Sequence, residues 1–225
     1  MKKSNKGYSF VEIIIIIAIM AILAASITIA IIRYLEKSRQ SVDVYHACLI
    51  RDALRCYPFP SNYQGKPVTY VNPETGDSEV YKRGWVYVDK DEIRCSDQST
   101  ALAMINAGLV YVPDSVAGQI ADNEENSTRW FPNAGTGEYY RKSDINEYVF
   151  KNQIYCRART TWNTYQVDVY LDEGGNILMG ASASNESRTS EAGHSKDAEA
   201  CAQFSKKLGL DNAFVTPIGN QYVDD

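Results

Sequence analysis

An unbroken apolar stretch from Ile13 to Ile32 constrains this sequence more than any other feature. At 1.5 Å per residue, a helix of about 20 residues extends roughly 30 Å, the thickness of the hydrocarbon core of a bilayer. Ser26 and Thr28 are the polar residues within the stretch, and each can hydrogen-bond to its own helix. The stretch therefore predicts one membrane-spanning helix near the N-terminus.

The residues around this stretch separate three interpretations of it. A secretory signal peptide cut after Ala24 or Ala25 fits the basic start, but it places Ile22 or Leu23 where a small residue is needed. A plain signal anchor fits the length. Neither explains Glu12, because a carboxylate at the edge of a membrane span is costly and usually has a partner. We therefore favour a third interpretation, a short leader that is cut off before the span.

The sequence from Gly7 to Glu12 resembles the prepilin leader of type IV pilins and their pseudopilin relatives. Gly7 is followed by the aromatic Tyr8 and by Ser9, and Glu12 stands four positions after the aromatic residue. The resemblance implies that a membrane aspartic peptidase cuts between Gly7 and Tyr8, and that Tyr8 is then N-methylated. It also implies that Glu12 pairs with the N-terminal ammonium of a neighbouring subunit, which offsets the cost of burying its charge.

The resemblance further implies a function and a location. It implies a structural subunit of a type IV pilus, stored in the bacterial cytoplasmic membrane with a single span and assembled into an extracellular filament. The implied partners are copies of the chain or other pilin subunits, the prepilin peptidase and the pilus assembly platform. The implied roles are adhesion, motility or DNA uptake. The alternatives are a minor pilin or a type II secretion pseudopilin, and a membrane-anchored extracellular binding domain that never polymerises.

Composition argues against two other classes of protein. The chain has a formal net charge of -5, whereas a nucleic-acid-binding protein needs a basic surface. It has two histidines, His46 and His194, and no motif of a catalytic nucleophile. We therefore expect a protein that is not an enzyme, needs no cofactor and has no nucleic acid as its evident partner.

The helix is expected to continue past the membrane, from residue 8 to about residue 57. Pro58 prevents its continuation. Apolar residues recur at steps of three and four, which predicts one buried face and leaves the charged residues mostly elsewhere. This predicted face consists of Leu35, Val42, Tyr45, Leu49, Ala53 and Cys56. A coiled-coil stalk is the alternative for 33–56, but the pattern is too short for it.

Residues 58–225 predict a globular head built on a small antiparallel sheet, with one lobe or two as the alternatives. With the leader at 1–7, the fold class is α+β, a long N-terminal helix packed on the sheet. We expect a loop at 57–79, a hairpin around Asp89–Asp91, a helix from Thr100 to Ala107 capped by Ser99 and ended by Gly108, and a surface loop over 113–147. A half-buried strand is expected at Tyr165–Tyr170, a strand at Ile177–Met179, and a last helix from Lys196 to Leu208 capped by Ser195 and ended by Gly209.

Five cysteines, Cys48, Cys56, Cys95, Cys156 and Cys201, are candidates for disulfides in an oxidising compartment. Cys48 and Cys56 lie about 12 Å apart along one helix, too far to bond each other. The preferred pairings are one of these two with Cys95, and Cys156 with Cys201, which leaves one thiol free. A zinc site made by Cys48, Cys56, Cys95 and His46 is the alternative, and the same spacing counts against it.

Two further motifs carry little weight. Asp122, Glu124 and Glu125 form an acidic cluster without the spacing of a calcium-binding loop, so a solvated loop is the preferred interpretation. The triplet 126–128 (Asn-Ser-Thr) has the pattern of a glycosylation site.

Overall fold

The structure is a computed structural model of the 225-residue chain. It describes residues 9–71, 76, 78–122, 131–133, 137–142, 147–151, 154–184 and 198–210. Four helices lie within these ranges: α1 (Phe10–Cys56), α2 (Gln98–Asn106), α3 (Asp114–Ala121) and α4 (Ala198–Leu208). Eight strands accompany them: β1 (Lys66–Val71), β2 (Ser78–Val88), β3 (Glu92–Cys95), β4 (Phe131–Asn133), β5 (Gly137–Lys142), β6 (Tyr148–Lys151), β7 (Thr164–Leu171) and β8 (Ile177–Ser184).

Helix α1 is continuous over 47 residues, so it is about 70 Å long. It has neither glycine nor proline inside it, so none of its residues breaks the helix. Tyr57, the residue before Pro58, adopts the extended conformation that a following proline favours, and the helix ends there. The predicted long helix and its end are confirmed.

All eight strands form one antiparallel sheet, in the order β4-β5-β6-β3-β2-β7-β8, with β1 also paired to β2. Strand β2 is long enough that β1 and β3 share one of its edges while β7 occupies the other. The helix and the sheet together confirm the predicted α+β class. The predicted turn at Asp89–Asp91 is also confirmed, since Asp89 Oδ1 accepts hydrogen bonds from the backbone N–H groups of Asp91 and Glu92.

Two predicted loops contain regular structure. Strand β1 lies within 57–79, and Pro67 is compatible with it because β1 pairs on one side only, with β2. Helix α3 and strands β4 and β5 lie within 113–147, where turn-forming residues obscured the short elements. Strand β8 is also longer than predicted, because it continues through small residues to Ser184.

The ends of α2 and α4 can be compared with the residues that were predicted to begin and end these helices. Helix α2 begins two residues earlier than predicted, at Gln98, because Asp97 and not Ser99 is the N-cap and accepts the N–H of Thr100 at 3.0 Å. Gly108 and Gly209 follow α2 and α4 with φ of 67° and 66°, a left-handed conformation that glycine adopts without strain. Both glycines therefore end their helices as predicted. The predicted cap Ser195 lies outside the described residues.

The face of α1 that packs on the sheet is not the predicted one. The buried residues of α1 are Glu36, Asp43, Ala47, Ile50 and Leu54, which recur at steps of seven, four, three and four. At 100° per residue the predicted residues lie about 90° to 170° around the helix from this stripe, and Ala53, at the near edge, packs against the core. Leu35 and Tyr45 of the predicted face are 46% and 60% exposed, and Cys56 is exposed. The predicted apolar periodicity is present in α1, but most of its residues lie on the side of the helix that faces away from the sheet.

Strand β7 departs from the half-buried strand that was predicted, because all eight of its residues are buried. Val167 and Val169 face the core beside α1. On the other face, Asp168 Oδ1 accepts hydrogen bonds from Arg83 Nε at 2.8 Å and from Gln166 Nε2 at 2.7 Å. The alternation of polar and apolar residues is therefore real, but the polar residues form a buried ion pair and are not in contact with solvent.

Candidate functional site

The first half of α1 is an apolar surface that the head leaves uncovered. Every residue from 9 to 35 is exposed. A window within α1 has a mean hydropathy of 3.0 with none of its residues buried, so this helix is long and apolar enough to cross a membrane. A surface of this size and composition is not compatible with water. Its composition is consistent with an environment of lipid, of other helices, or of each in turn.

Glu12 is the acidic residue at the start of this surface, and it caps its own helix. Its Oε2 accepts a hydrogen bond from the backbone N–H of Ser9 at 2.8 Å, and Ser9 is the N-cap of α1. The carboxylate also lies in the first turn of α1, where the helix dipole favours negative charge. In the single chain, a neutral N–H group thus bonds Glu12 and leaves its negative charge in place.

The capping role of Glu12 was missed from the sequence, although a signal for it was present. Ser9-Phe10-Val11-Glu12 has the S-x-x-E pattern of a capping box ahead of an apolar run. The hydrogen bond uses one carboxylate oxygen, Oε2. Within the described residues, no donor bonds Oε1. The carboxylate of Glu12 can therefore accept a hydrogen bond from a second donor, such as a neighbouring ammonium.

A second apolar stripe extends the exposed surface along the head. Leu35 and Tyr45 are exposed, and Val42 and Leu49 are half-buried, on the side of α1 that faces away from the sheet. The stripe is continuous with the apolar first half of the same helix. A second helix could therefore pack along α1 over both halves, in the manner of neighbouring subunits in a helical bundle.

The opposite side of α1 holds the head through a buried carboxylate. Asp43 is fully buried and accepts hydrogen bonds from the backbone N–H groups of Arg157 (2.7 Å) and Ala158 (2.8 Å). The indole Nε1 of Trp162 donates to the same carboxylate at 3.1 Å. The Cys156 thiol lies 3.3 Å from Asp43 Oδ2. The loop 156–162, which precedes β7, is thus fixed to α1 by one side chain.

Glu36 fixes the same loop one step nearer the membrane-spanning half. Its Oε1 accepts hydrogen bonds from the backbone N–H groups of Arg159 and Thr160, both at 2.9 Å. Burial raises the pKa of the Glu36 carboxyl, but these backbone donors outweigh burial and hold the pKa below its ordinary value. We refer to Glu36 and Asp43 as the carboxylate clamp. Both are charged residues that the predicted apolar face of α1 left outside it.

Four of the five cysteine side chains lie in the part of the chain that the structure describes. Cys48, Cys56, Cys95 and Cys156 are free thiols in the structure, and nothing is described of the side chain of Cys201. Neither preferred disulfide is therefore formed among described side chains, and both pairings stay predictions. Within the described residues, which include Cys48, Cys56, Cys95 and His46, no three histidine, cysteine or carboxylate side chains converge as metal ligands.

Several predicted site residues lie outside the described residues. These are Gly7 and Tyr8 at the proposed cleavage site, Glu124 and Glu125 of the acidic cluster, the triplet 126–128, and His194. Asp122, the remaining member of the acidic cluster, directly follows α3.

Residues 2–28 match the family described as the prokaryotic N-terminal methylation motif. The chain therefore carries the leader signature of type IV pilins and pseudopilins, which confirms the resemblance predicted from Gly7 to Glu12. The motif implies processing by a prepilin peptidase and assembly in a pilus-type system. The match covers the leader and most of the apolar stretch. No curated protein and no solved structure matches the chain significantly.

Proposed function

We propose that this chain is a structural subunit of a type IV pilus, made as a membrane-stored precursor, cut before Tyr8 and N-methylated there. In this proposal the apolar half of α1 spans the cytoplasmic membrane of a bacterium while the head lies outside. On assembly the same half enters a bundle with copies of the chain or other pilin subunits. The chain has no catalytic task and needs no cofactor.

One observation carries the proposal: a single helix joins a fully exposed apolar half to a half that is built into the head. Residues 9–35 are exposed, whereas the carboxylate clamp attaches the second half to the loop before β7. A lipid anchor alone would need only the first half to be apolar. The exposed stripe with Leu35 and Tyr45 continues beyond the membrane and supports helix-to-helix packing in a filament.

Glu12 supports assembly because of what happens to its charge when α1 leaves the membrane. Near the lipid headgroups the carboxylate is capped by Ser9 and reached by water. Among packed apolar helices, a carboxylate without a partner of opposite charge is destabilised by several kcal/mol. The ammonium on Tyr8 of a neighbouring subunit removes that cost at one axial offset only. Glu12 would then fix the register of the subunits as well as stabilising their contact.

A second candidate is a membrane-anchored extracellular domain that never polymerises, and one observation favours it. The N–H of Ser9 already bonds Glu12 and water reaches the carboxylate, so in the isolated chain this charge is solvated without a neighbour. A minor pilin or a secretion pseudopilin is a third candidate within the same class of proteins. These candidates share the leader and differ in whether the chain is found in sheared filaments.

Processing is the first test of the proposal. Mass spectrometry of the protein from its native membrane should show an N-terminus at Tyr8 with one added methyl group. Gly7→Val should leave the precursor uncut, because the peptidase needs a small residue there. Asn5→Val, the same replacement two positions earlier, serves as the matched control and should be processed normally.

An intact Met1, or a mature N-terminus near Ser26, would overturn the proposal. Sheared surface material then separates the candidates, since a pilus subunit is recovered in filaments with its mature N-terminus. Recovery of the processed chain only from membranes would favour the anchored domain.

A further inference from the structure

The end of the head nearest the membrane-spanning half carries a group of basic side chains. Arg33 and Lys37 are exposed on α1 and follow Ile32, the last residue of the apolar stretch, within about 8 Å along the helix axis. Arg159 is also exposed, and its backbone N–H is bound to Glu36, about 6 Å beyond Ile32. These three positions lie at the depth of the headgroup layer, which is about 5 to 7 Å thick on each side of a bilayer.

Two further basic side chains extend this group. Lys207 of α4 donates a hydrogen bond from Nζ to Gln40 Oε1 at 2.9 Å, and it lies 5.1 Å from the ring centre of Trp162. Arg39, the second of these side chains, lies on α1 and is 43% exposed. We refer to Arg33, Lys37, Arg39, Arg159 and Lys207 as the basic collar. It combines side chains from α1, the clamped loop and α4.

The charges of the collar are not balanced within the described residues. Glu36 is the acidic residue among positions 33–42 and 157–161. Its carboxylate is turned to the backbone of the loop, and its contact with Arg39 is long, at 3.8 Å. Burial, and then the positive charge of Lys37, lower the pKa of Lys207, which shows that two cations lie near each other. Like charges gathered on an acidic protein indicate an anionic partner.

The nearest acidic turn is attached to the other end of the loop. The backbone carbonyl of Asp89 accepts the N–H of Cys156, and the thiol of Cys156 contacts Asp43. Asp43 lies about 10 Å further along α1 than Glu36. The acidic turn Asp89–Asp91 therefore lies at the end of the loop that is farther from the membrane-spanning half.

We propose that the basic collar binds the phosphate groups of anionic lipids and seats the head on the outer surface of the membrane before assembly. The proposal rests on the proposed function, in that α1 must first span a bilayer. It accounts for the placement of Arg33, Lys37 and Arg39 after the span, where positive residues oppose the usual preference for the cytoplasmic side. Release of these lipid contacts would accompany extraction of the subunit into a filament.

The test uses the full chain reconstituted in vesicles of phosphatidylcholine that contain a trace of spin-labelled phosphatidylglycerol or spin-labelled phosphatidylcholine. The motionally restricted fraction of each label gives the relative association constant of the two lipids. We expect a preference for phosphatidylglycerol of about fivefold, the contribution of one effective basic contact, and its decline toward one in 1 M salt.

Matched charge reversals identify the surface responsible. Lys37→Glu combined with Arg159→Glu should remove the preference. Lys66→Glu combined with Lys82→Glu, an equal change of charge at exposed positions near the far end of the head, should leave it unchanged. Equal association of both lipids with the wild-type chain, or an equal loss in both variants, would overturn the proposal.

Two other outcomes would separate the lipid proposal from the proposed function. A chain that fails to insert into vesicles of either composition would contradict the proposed function itself. A collar variant that keeps the lipid preference but no longer forms filaments would assign the collar to contacts with neighbouring subunits, and would overturn the lipid proposal alone.

Discussion

The indole of Trp162 donates a hydrogen bond to Asp43 across 119 residues of sequence, and this contact joins the long helix to the sheet. Trp162 is fully buried, and its ring packs edge-on against Phe204 of α4 at a centroid distance of 5.3 Å. Asp43 accepts two backbone N–H groups at the same time. One buried carboxylate therefore fixes α1, the loop before β7 and, through Trp162, helix α4.

Asp43→Ala should destabilise the head by about 3 kcal/mol or more, because it leaves several buried donors without an acceptor. Asp43→Asn should cost nearly as much. Its two carboxylate oxygens serve different donors, so an amide NH₂ would face an N–H group on one side. Urea unfolding of the full chain in detergent, followed by tryptophan fluorescence, measures the change.

Asp52→Ala is the matched control for this prediction. Asp52 is on the same helix with 58% of its side chain exposed, and its partner is the adjacent Arg51. Its loss should change the free energy of unfolding by no more than about 0.5 kcal/mol. Equal effects of Asp43→Ala and Asp52→Ala would show that the clamp does not hold the head together.

The clamp also marks the limit of what the sequence could predict about α1. The helix, its end at Pro58 and the stops at Gly108 and Gly209 depend on neighbouring residues, and these predictions were confirmed. The buried face depends on N–H groups that are more than 110 residues away in sequence. The apolar periodicity indicated a different side of α1, because the side that the head leaves exposed is apolar as well.

Glu36 should make the stability of the head depend on pH. Its pKa in the folded chain is lower than the ordinary value of 4.5. The stabilisation is therefore complete above that ordinary value and is lost as the pH falls through the lower, folded-state pKa. The difference in unfolding free energy between the wild-type chain and Glu36→Gln should shrink as the pH is lowered from about 6 to below 4.

Glu173→Gln provides the comparison for this titration, because Glu173 is exposed in the turn between β7 and β8. That variant should follow the wild-type pH dependence. A difference between wild type and Glu36→Gln that stays constant with pH would mean that the loop N–H groups do not stabilise the ionised form of Glu36.

The thiols of Cys56 and Cys95 should differ in reactivity in the native protein. Cys56 is exposed, whereas Cys95 is fully buried in β3, where burial and then the charges of Asp97 and Glu147 raise its pKa. The thiolate is the reactive form, so Cys56 should be alkylated by iodoacetamide at least about tenfold faster than Cys95. Peptide mapping after timed alkylation measures both rates, and denaturant should make them similar.

The same peptide maps, prepared without reductant, test the pairings predicted from sequence. A link between Cys156 and Cys201 would confirm the preferred disulfide. A link between Cys95 and either Cys48 or Cys56 would confirm the other preferred pairing. Equal native reactivity of Cys56 and Cys95 as free thiols would contradict the expectation drawn from their burial. Spacing along α1 excluded a Cys48–Cys56 bond, but connectivity beyond that is set by contacts distant in sequence.

Substitutions of Glu12 can separate its role as a helix cap from the role of its charge, because glutamine also serves at the third position of a capping box. Glu12→Gln keeps the hydrogen bond to Ser9 and removes the charge, whereas Glu12→Val removes both. If the charge pairs with a neighbouring ammonium, both variants should fold and be processed normally and yet lose filaments. Glu12→Asp, which reaches less far, should fall between them and the wild type.

The count of filaments that contain the Glu12→Gln subunit tests the assembly mechanism most directly. It is obtained by electron microscopy of sheared cell-surface material labelled with an antibody to the head, beside wild type and Glu12→Val. Charge pairing predicts that Glu12→Gln is as deficient in filaments as Glu12→Val, with both chains accumulating processed in the membrane. Normal numbers of filaments that incorporate Glu12→Gln would contradict it and would leave Glu12 as a helix cap.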